Sequence, residues 1–147
     1  SSVIDLPGKT FIVRGLPSAT EEIAAPNDFI KIKNHLDASS LNKVLQQSKV
    51  VVSRSGYTTV MDLIKLGSKA ILVPTPGQTE QEYLARYLLS KGYFYSVSQE
   101  RFSLKKEINK AAKFAYKKPE GFKEIYKGNI EKWVLLLKDQ SGKKTKL

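Results

Sequence analysis

The sequence predicts an α/β domain built on a parallel β-sheet with helices on both faces. Uninterrupted apolar runs, such as residues 50–52 and 70–74, alternate with amphipathic segments at helical spacing. Strands that are apolar on both faces belong to covered sheets, and strands that alternate with helices form βαβ units. With 147 residues, 41% of them hydrophobic, the chain can bury the core that such a domain needs.

The first third of the chain predicts two short strands and a helix. Residues 10–16 and 29–35 read as strands, and in the second of them isoleucine alternates with lysine. This period of two is typical of an edge or half-buried strand. A helix follows over residues 39–48, and we expect Ser39 or Ser40 to cap its amino-terminal end.

The middle of the chain repeats the strand and helix pattern twice. The apolar segment at residues 49–53 predicts a strand that leads into a helix over residues 58–66. A second strand over residues 69–74 leads into a helix over residues 80–91, which Gly92 ends. Both helices therefore start close to the carboxyl end of a strand.

A last strand and helix precede a basic carboxyl-terminal stretch. Residues 93–97 predict a strand, and Ser103 is expected to cap a helix whose apolar residues recur at helical spacing. We expect a single domain over residues 1–140. The lysine-rich residues 141–147 are expected to form a disordered tail.

The net charge of +11 is concentrated in the last third of the chain. Residues 101–147 hold 14 Lys and Arg residues against 5 Asp and Glu residues. Such a surface fits nucleic acid, an anionic membrane or an acidic partner, or is simply a solvated face of lysines. The lysines do not interleave with aromatic residues along one strand, which argues against single-stranded nucleic acid as the partner.

Composition excludes several other classes of site. The chain has no cysteine, and hence neither a disulfide nor a thiolate-bound metal. It has no DxD-like acidic pair and no cluster of histidine with aspartate, so we predict no metal site. No apolar run approaches the roughly 20 residues that span a bilayer. The single histidine, His35, stands beside a strand end, where a structural or exposed role is commoner than a catalytic one.

Polar residues stand where the third predicted strand leads into its helix, in the segment SRSGYTT at residues 53–59. In an open parallel sheet, ligands bind beyond the carboxyl ends of the strands, where the first turn of a helix attracts anions. A glycine there allows close approach, and serine and threonine hydroxyls can bind phosphate. Asp62 lies one turn later on the same face, suited to ribose hydroxyls. The alternative is that Ser55 and Thr58 cap the helix and Asp62 is solvated.

The next junction, VPTPGQTEQEYLA at residues 73–85, offers a different set of groups. Amides and carboxylates at residues 78–82 both donate and accept hydrogen bonds, as recognition of sugar hydroxyls requires. The alternative is that the acidic residues only complement the helix dipole. A phosphate and ribose junction beside a hydroxyl-binding junction predicts a nucleotide sugar as the ligand.

The segment SRSGYTTVMDLIKLGSKAILVPTPGQTEQEYLA at residues 53–85 resembles the carboxyl-terminal, donor-binding half of the MurG-like glycosyltransferases of family 28. The likeness extends from about residue 29 to residue 95. It implies a Rossmann-like domain that forms one half of a two-domain GT-B architecture. It also implies an inverting, metal-independent transfer of a hexose or N-acetylhexosamine from a UDP-sugar, foremost UDP-GlcNAc, with no cofactor.

Positions that match the family's motifs imply a set of donor-binding residues. The phosphate-binding residues are Ser55, Gly56, Tyr57, Thr58 and Thr59, the ribose ligand is Asp62, the uracil-binding residues are Leu36, Asp37 and Ala38, and the sugar-binding residues are Gln81 and Glu82. Arg54 is expected to help hold the diphosphate, or else to pack as an ion-pair partner. The family usually has glutamate at position 62 and glutamine at position 82, so this chain departs from the pattern there.

The resemblance also implies elements that these residues do not contain. In the family a strand and a glycine-rich loop open this half, and an amino-terminal acceptor domain supplies the catalytic base. Nothing here matches either, and the chain lacks an initiator methionine. We therefore expect part of a longer protein, with no catalytic residue and no activity of its own. The expected location is the cytoplasm, at the inner face of the membrane through peripheral association.

Two other functions fit the same residues. A UDP-sugar hydrolase or epimerase could use the same scaffold and the same donor site. A basic module that binds nucleic acid or an anionic membrane through residues 101–147 would not need the donor site.

Overall fold

The computed structural model describes residues 8–119, in which strands and helices alternate along the chain. The elements are β1 (Thr10–Val13), β2 (Ile30–Lys33), α1 (Ala38–Gln47), β3 (Val51–Ser53), α2 (Tyr57–Lys65), β4 (Ala70–Leu72), α3 (Thr79–Ser90), β5 (Tyr95–Ser96), a 3-10 turn (Gln99–Arg101) and α4 (Leu104–Lys113). Every predicted strand and helix in this range is present. The predicted domain end at residue 140 and the tail at 141–147 lie outside the described residues.

All strand pairs among the described residues are parallel, as predicted, but the strands form two sheets rather than one. Strand β1 pairs with β2, and Ile12 lies opposite Ile32. Strand β4 lies between β3 and β5 in the second sheet. The order within each sheet is therefore β1-β2 and β3-β4-β5.

The core lies on both faces of the three-stranded sheet, and β4 is buried throughout. Helices α2 and α3 cover the face that carries Ala70 and Leu72, and α1 adds Leu45 at its margin. Helix α4 covers the opposite face, where Ala111 packs with Ile71 and Val73. Alternate residues of one strand thus face opposite helix layers, as the uninterrupted apolar run predicts.

Strands β2 and β3 are only partly buried. In β2, Ile30 is buried and both lysines are exposed, which confirms the predicted half-buried strand. In β3, however, Val52 is 39% exposed, whereas an apolar run in a parallel sheet predicts burial on both faces. Among the described residues, β3 therefore has one uncovered face and one unpaired edge.

Three helices begin one residue earlier than predicted, and the cap of α1 also differs. Helix α1 begins at Ala38 and its N-cap is Asp37, so the prediction that Ser39 or Ser40 caps this helix is wrong. One carboxylate oxygen of Asp37 accepts from the Ser40 amide at 2.9 Å, and the other accepts from the Ser40 hydroxyl at 2.6 Å. A carboxylate satisfies both donors at once, whereas a serine cap satisfies one. Helices α2 and α3 each begin one residue earlier than predicted.

Helix α4 carries a buried acid that the sequence did not reveal. Ser103 is its N-cap position, as predicted, although its side chain forms no capping hydrogen bond. Glu107 on this helix is 1% exposed. Its carboxylate accepts hydrogen bonds from the Tyr95 hydroxyl at 2.6 Å and from the Lys110 ammonium at 3.2 Å. These donors replace the water that burial removes from the carboxylate.

The described helices are short and amphipathic. None of those within residues 8–119 is long and apolar enough to cross a membrane.

Candidate functional site

The two predicted binding junctions lie side by side and are joined by a hydrogen bond. Strands β3 and β4 are parallel neighbours, and Ser53 near the end of β3 lies opposite Leu72 of β4. The fully buried Ser55 hydroxyl donates to the Gln81 carbonyl at 2.8 Å. The start of α2 is thereby fixed against the first turn of α3. The sequence prediction placed phosphate-binding and sugar-binding residues at these two starts.

The start of α2 leaves space where a ligand would approach. Its N-cap is Gly56, which has no side chain to cap the helix. The backbone of Gly56 is extended, with φ −65° and ψ 143°, a conformation that any residue adopts. A Cβ placed there would meet no atom within 4 Å. Neither backbone strain nor packing among the described residues requires a glycine here. That it admits a ligand to the first-turn amides stays a prediction.

Three polar side chains on α2 have no hydrogen-bond or ion-pair partner among the described residues. The Thr58 and Thr59 side chains are exposed, and Asp62 is half-buried one turn further along. Their hydroxyl and carboxylate groups form no hydrogen bond or ion pair with other described residues. Tyr57, which is also exposed, already has an interaction of its own. The groups without a described partner are therefore two hydroxyls predicted to bind phosphate and one carboxylate predicted to bind ribose.

The predicted sugar-binding residues shape the loop before α3. The Gln81 side-chain oxygen accepts from the Thr75 amide at 3.0 Å, and its side-chain nitrogen donates to Gln78 at 2.6 Å. The Glu82 carboxylate accepts from the Gly77 amide at 3.2 Å. Both side chains are half-buried and lie at the carboxyl end of β4. Their role toward a sugar stays a prediction, because here their polar atoms hold the loop.

Arg54 places a positive charge at the same edge of the sheet. One guanidinium nitrogen donates to the Val73 carbonyl at 3.2 Å and to the Pro74 carbonyl at 3.4 Å. No acidic side chain within residues 8–119 pairs with it, so the alternative ion-pair role finds no support in this range. These two bonds hold the guanidinium at the carboxyl end of β4. Its role toward a diphosphate stays a prediction.

The predicted uracil-binding residues lie at the start of α1, after the other sheet. Leu36 is half-buried, and Asp37 and Ala38 are exposed. Hydrogen bonds from the side chain and the backbone of Ser40 hold the pKa of the Asp37 carboxyl below its usual value. The capping carboxylate therefore stays ionised. The role of the backbone of this turn toward uracil stays a prediction.

A shallow cleft that the sequence did not predict lies between the β1–β2 loop and the end of β2. It encloses about 270 Å³ and its lining includes Lys33, Asn34 and His35. Asn34 organises the loop by donating to the Ala19 carbonyl at 3.1 Å and the Glu21 carbonyl at 2.8 Å. His35 is exposed at the rim. Its setting fits the exposed role expected of a lone histidine.

Side chains that could hold a metal do not cluster in the part of the chain that the structure describes. No group of three His, Cys, Asp or Glu residues lies close enough together within residues 8–119.

Comparison with protein families places this site in a known context. The model of the glycosyltransferase family 28 C-terminal domain matches residues 24–131, well over half of the chain. The chain belongs to this family. The matched range contains both junctions and the start of α1, so each predicted donor-binding residue lies inside the family 28 domain.

A curated relative and a solved structure agree with this assignment. The chain is 40% identical over 65 residues to UDP-N-acetylglucosamine--N-acetylmuramyl-(pentapeptide) pyrophosphoryl-undecaprenol N-acetylglucosamine transferase of Rhodopseudomonas palustris (strain BisA53). That match spans 43% of this chain and 17% of the relative. The solved structure of Spinosyn Forosaminyltransferase SpnP superposes with a TM-score of 0.50 at 15% identity, over 67% of this chain and 23% of that one.

The structural likeness concerns the fold alone, because the sequence identity is low. It confirms the predicted α/β, Rossmann-like fold, one half of a GT-B architecture. The aligned part of this family 28 domain covers less than a fifth of the length of the curated relative that it matches.

Proposed function

We propose that this family 28 domain binds the UDP-sugar donor of an inverting, metal-independent glycosyltransferase. The observation that carries the proposal is the hydrogen bond from Ser55 to Gln81, because it brings two helix starts together at the carboxyl edge of one sheet. Parallel α/β sheets bind ligands at this edge. One start offers free hydroxyls and amides, and the other offers amide and carboxylate side chains.

The diphosphate is assigned to the start of α2. Its first-turn amides and the helix dipole favour an anion, and Gly56 leaves the approach open. Thr58 and Thr59 add exposed hydroxyl donors. Arg54 supplies the positive charge that a metal ion would supply in other transferases. The metal-independent mechanism proposed here therefore uses the helix start and one guanidinium to hold two phosphates.

The ribose is assigned to Asp62, and the transferred sugar to Gln81 and Glu82. A carboxylate can accept two hydrogen bonds from a pair of ribose hydroxyls. The carboxylate of Asp62 has no other partner among the described residues. When a sugar binds, Gln81 and Glu82 either keep their hydrogen bonds to the Thr75 and Gly77 amides and form additional ones to the sugar, or replace the former with the latter. UDP-GlcNAc is the proposed donor, since the relative's name specifies UDP-N-acetylglucosamine.

The proposed reaction requires a second domain for its chemistry. A base on that domain takes the proton from an acceptor hydroxyl, and the oxygen attacks the anomeric carbon of the donor sugar. The bond between that carbon and the diphosphate oxygen breaks, and its electron pair leaves with UDP. The start of α2 stabilises the negative charge that develops on the departing diphosphate. Attack from the opposite side inverts the anomeric centre.

Titration with UDP tests the proposal on this chain directly. We expect weak, millimolar binding in which the amide resonances of residues 55–62 move, with no turnover of a UDP-sugar. Asp62→Ala should abolish most of these shifts, whereas Asp28→Ala, which removes an exposed acid from the β1–β2 loop, should not. Unchanged resonances at millimolar UDP would contradict the proposal. In the longer protein, sugar transfer that persists in EDTA tests metal independence.

Peripheral association with an anionic membrane is also part of the proposal. Helix α4 exposes four lysines, Lys105, Lys106, Lys110 and Lys113, while its Ala111 faces the core. The relative's name includes a pyrophosphoryl-undecaprenol group, which is a lipid, so a transferase of this kind would work at the cytoplasmic face of a membrane. Binding to vesicles of anionic lipid that weakens steeply with salt would support it. Equal binding to neutral vesicles would contradict it.

A further inference from the structure

A tight turn precedes α3 and brings its two end residues close together. The Gln78 amide donates to the Thr75 carbonyl at 3.1 Å, which closes a turn of four residues. Pro76 is the second residue of this turn, and Gly77 is the third, with φ +82°. Proline followed by glycine is the residue pattern of a type II turn, whose third residue needs a positive φ. One side chain can therefore reach both Thr75 and Gln78.

The Gln81 side chain bridges the two ends of this turn. Its oxygen accepts from the Thr75 amide at 3.0 Å, and its nitrogen donates to the Gln78 side-chain oxygen at 2.6 Å. The Thr75 amide can only donate, so it determines which end of the Gln81 side-chain amide is the oxygen. The Gln81 carbonyl in turn accepts from the Ser55 hydroxyl at 2.8 Å. Gln81 is thus held at three points, each by a different residue.

The bond from Gln81 to Gln78 fixes an orientation that torsional preference leaves open. The last torsion of a glutamine side chain joins an sp³ carbon to an sp² carbon, and its preferred range is broad. With the bond to Thr75 alone, the amide plane could rotate about that bond. The second bond, at the nitrogen, holds the plane, because two atoms of a planar group are then anchored.

The bridged amide keeps one donor and one acceptor for a ligand. A side-chain amide has two hydrogens on its nitrogen and two lone pairs on its oxygen. In Gln81, the bonds to Thr75 and Gln78 use one of each. The other hydrogen and the other lone pair match the hydroxyls of a sugar, which both donate and accept. Gln81 can therefore bind a sugar without giving up either bond.

We infer that Gln78 is a positioning residue that orients the Gln81 amide for recognition of the donor sugar. The inference rests on the proposed function, in which Gln81 binds the transferred sugar. Gln78 is exposed and is the N-cap residue of α3, but its side chain forms no capping hydrogen bond. Capping therefore does not account for this side chain, and Gln78 is not among the donor-binding residues that the family likeness implies.

The turn should keep its shape when the Gln78 side chain is changed. The bond that closes the turn uses the backbone of Gln78. The Glu82 carboxylate also accepts from the Gly77 amide at 3.2 Å. Neither bond involves the Gln78 side chain, so a substitution there tests the orientation of Gln81 rather than the presence of the turn.

Gln78→Met and Gln78→Glu separate the hydrogen bond from the bulk of the side chain. Methionine is also unbranched, but its sulfur is a weak acceptor, whereas glutamate keeps an oxygen acceptor. In titrations of this chain, we expect Gln78→Met to weaken binding of UDP-GlcNAc about three- to tenfold relative to UDP. Gln78→Glu should restore the wild-type ratio of the two affinities. The ratio is the informative quantity, because the added charge acts on both ligands.

Gln47→Met is the matched control for these variants. Gln47 is an exposed glutamine on α1 with no partner among the described residues, and its substitution should leave both affinities unchanged. The Tm of Gln78→Met should stay within about 3 °C of the wild-type value, as expected for an exposed side chain.

A measurement without any ligand reports the orientation of Gln81 itself. Nitrogen-15 relaxation gives an order parameter for the Gln81 side-chain amide. We expect a value above about 0.6 in the wild type and in Gln78→Glu, and a value below about 0.6 in Gln78→Met. A side chain that only fills space would not change this quantity.

Three results would overturn the inference. An unchanged affinity ratio in Gln78→Met would show that the sugar does not depend on Gln78. An equal loss for both ligands that Gln78→Glu does not restore would assign Gln78 a general structural role. An equally mobile Gln81 amide in the wild type and in Gln78→Met would show that Gln78 does not hold it.

Failure of the proposed function gives a different result. A wild type that binds neither UDP nor UDP-GlcNAc would contradict that function and, with it, the role of Gln78 toward a sugar. A Gln81 amide that is ordered in the wild type and mobile in Gln78→Met would still establish that Gln78 positions Gln81. A wild type that binds UDP, with an unchanged affinity ratio in Gln78→Met, would contradict the inference alone.

Discussion

The Tyr95 hydroxyl donates a 2.6 Å hydrogen bond to the buried carboxylate of Glu107, and thereby joins β5 to α4. Lys110, one turn further along α4, donates to the other oxygen of the same carboxylate at 3.2 Å. Burial and the hydrogen bond to Glu107 raise the pKa of the Tyr95 phenol to about 12. Burial acts to raise the pKa of Glu107 as well, but the bonds from Tyr95 and Lys110 outweigh it and hold that pKa below the usual value.

Tyr95→Phe should destabilise the domain by about 1–3 kcal/mol, because it leaves a buried carboxylate oxygen without its donor. Urea unfolding at neutral pH measures the change. Tyr93→Phe is the matched control, since the Tyr93 hydroxyl has no partner among the described residues and its loss should cost less than about 0.5 kcal/mol. Equal effects of the two substitutions would mean that the bond to Glu107 contributes nothing.

The stabilisation by Glu107 should disappear in acid. A carboxyl whose pKa is lower in the folded state contributes stability above its unfolded value of 4.5 and loses it as the pH falls through the folded value. The difference in unfolding free energy between the wild type and Glu107→Gln should therefore be largest near neutral pH. It should shrink below pH 4.5. A difference that stays constant from neutral pH to pH 3 would contradict this assignment.

The stability that Tyr95 contributes should be lost at alkaline pH, whereas that of Glu107 is lost in acid. A phenol whose pKa is raised by folding contributes stability that is fully present below its unfolded value of 10, and that falls as the pH rises towards about 12. Tyr116, which burial alone shifts to about 12, adds to the same loss. Tyr95→Phe should therefore flatten, but not abolish, the decline in stability between pH 10 and pH 12. An unchanged slope would contradict a folded-state pKa shift at Tyr95.

The sequence predicted the alternation of elements because apolar runs and amphipathic periods are local signals. It could not predict that Asp37 rather than a serine caps α1, because both residue types are common caps and the choice depends on two bonds to Ser40. Glu107 was missed for a similar reason. Its partner Tyr95 is twelve residues away, and nothing in the local pattern of α4 marks an acid as buried.

Within the candidate site, the sequence predicted which residues lie at the two helix starts, but not how their groups are used. It assigned Ser55 as a phosphate donor, whereas the Ser55 hydroxyl here donates to Gln81. Such a bond joins segments 26 residues apart, and it depends on the parallel pairing of β3 and β4. The sequence likewise predicted a β3 buried on both faces, whereas Val52 is 39% exposed.

Gly56→Ala should separate ligand binding from stability. A Cβ at this position meets no atom within 4 Å and the backbone is already extended. The folded state should therefore be unchanged, or stabilised by about 0.4–1 kcal/mol through the unfolded chain. Affinity for UDP should fall at least about tenfold, because the methyl group occupies the approach to the first-turn amides of α2. Titration of UDP and urea unfolding measure the two effects.

The matched control for that variant is Gly67→Ala. Gly67 follows α2 with φ +64°, a conformation that an L side chain rarely adopts. This substitution should cost about 1 kcal/mol in stability and leave UDP affinity unchanged in the folded protein. If Gly56→Ala binds UDP as well as the wild type does, the diphosphate does not lie at the start of α2.

Ser55→Ala should affect recognition of the sugar more than recognition of the nucleotide. It removes the buried hydrogen bond to the Gln81 carbonyl, so the first turn of α3 loses its attachment to the start of α2, at a cost of about 0.5–1.5 kcal/mol in stability. Affinity for UDP-GlcNAc should fall several-fold more than affinity for UDP, as measured by titrating both ligands. Ser48→Ala, which removes a hydroxyl bonded to Val44 at the far end of α1, should leave that ratio unchanged. An equal loss for both ligands would instead assign the Ser55 hydroxyl to the phosphates.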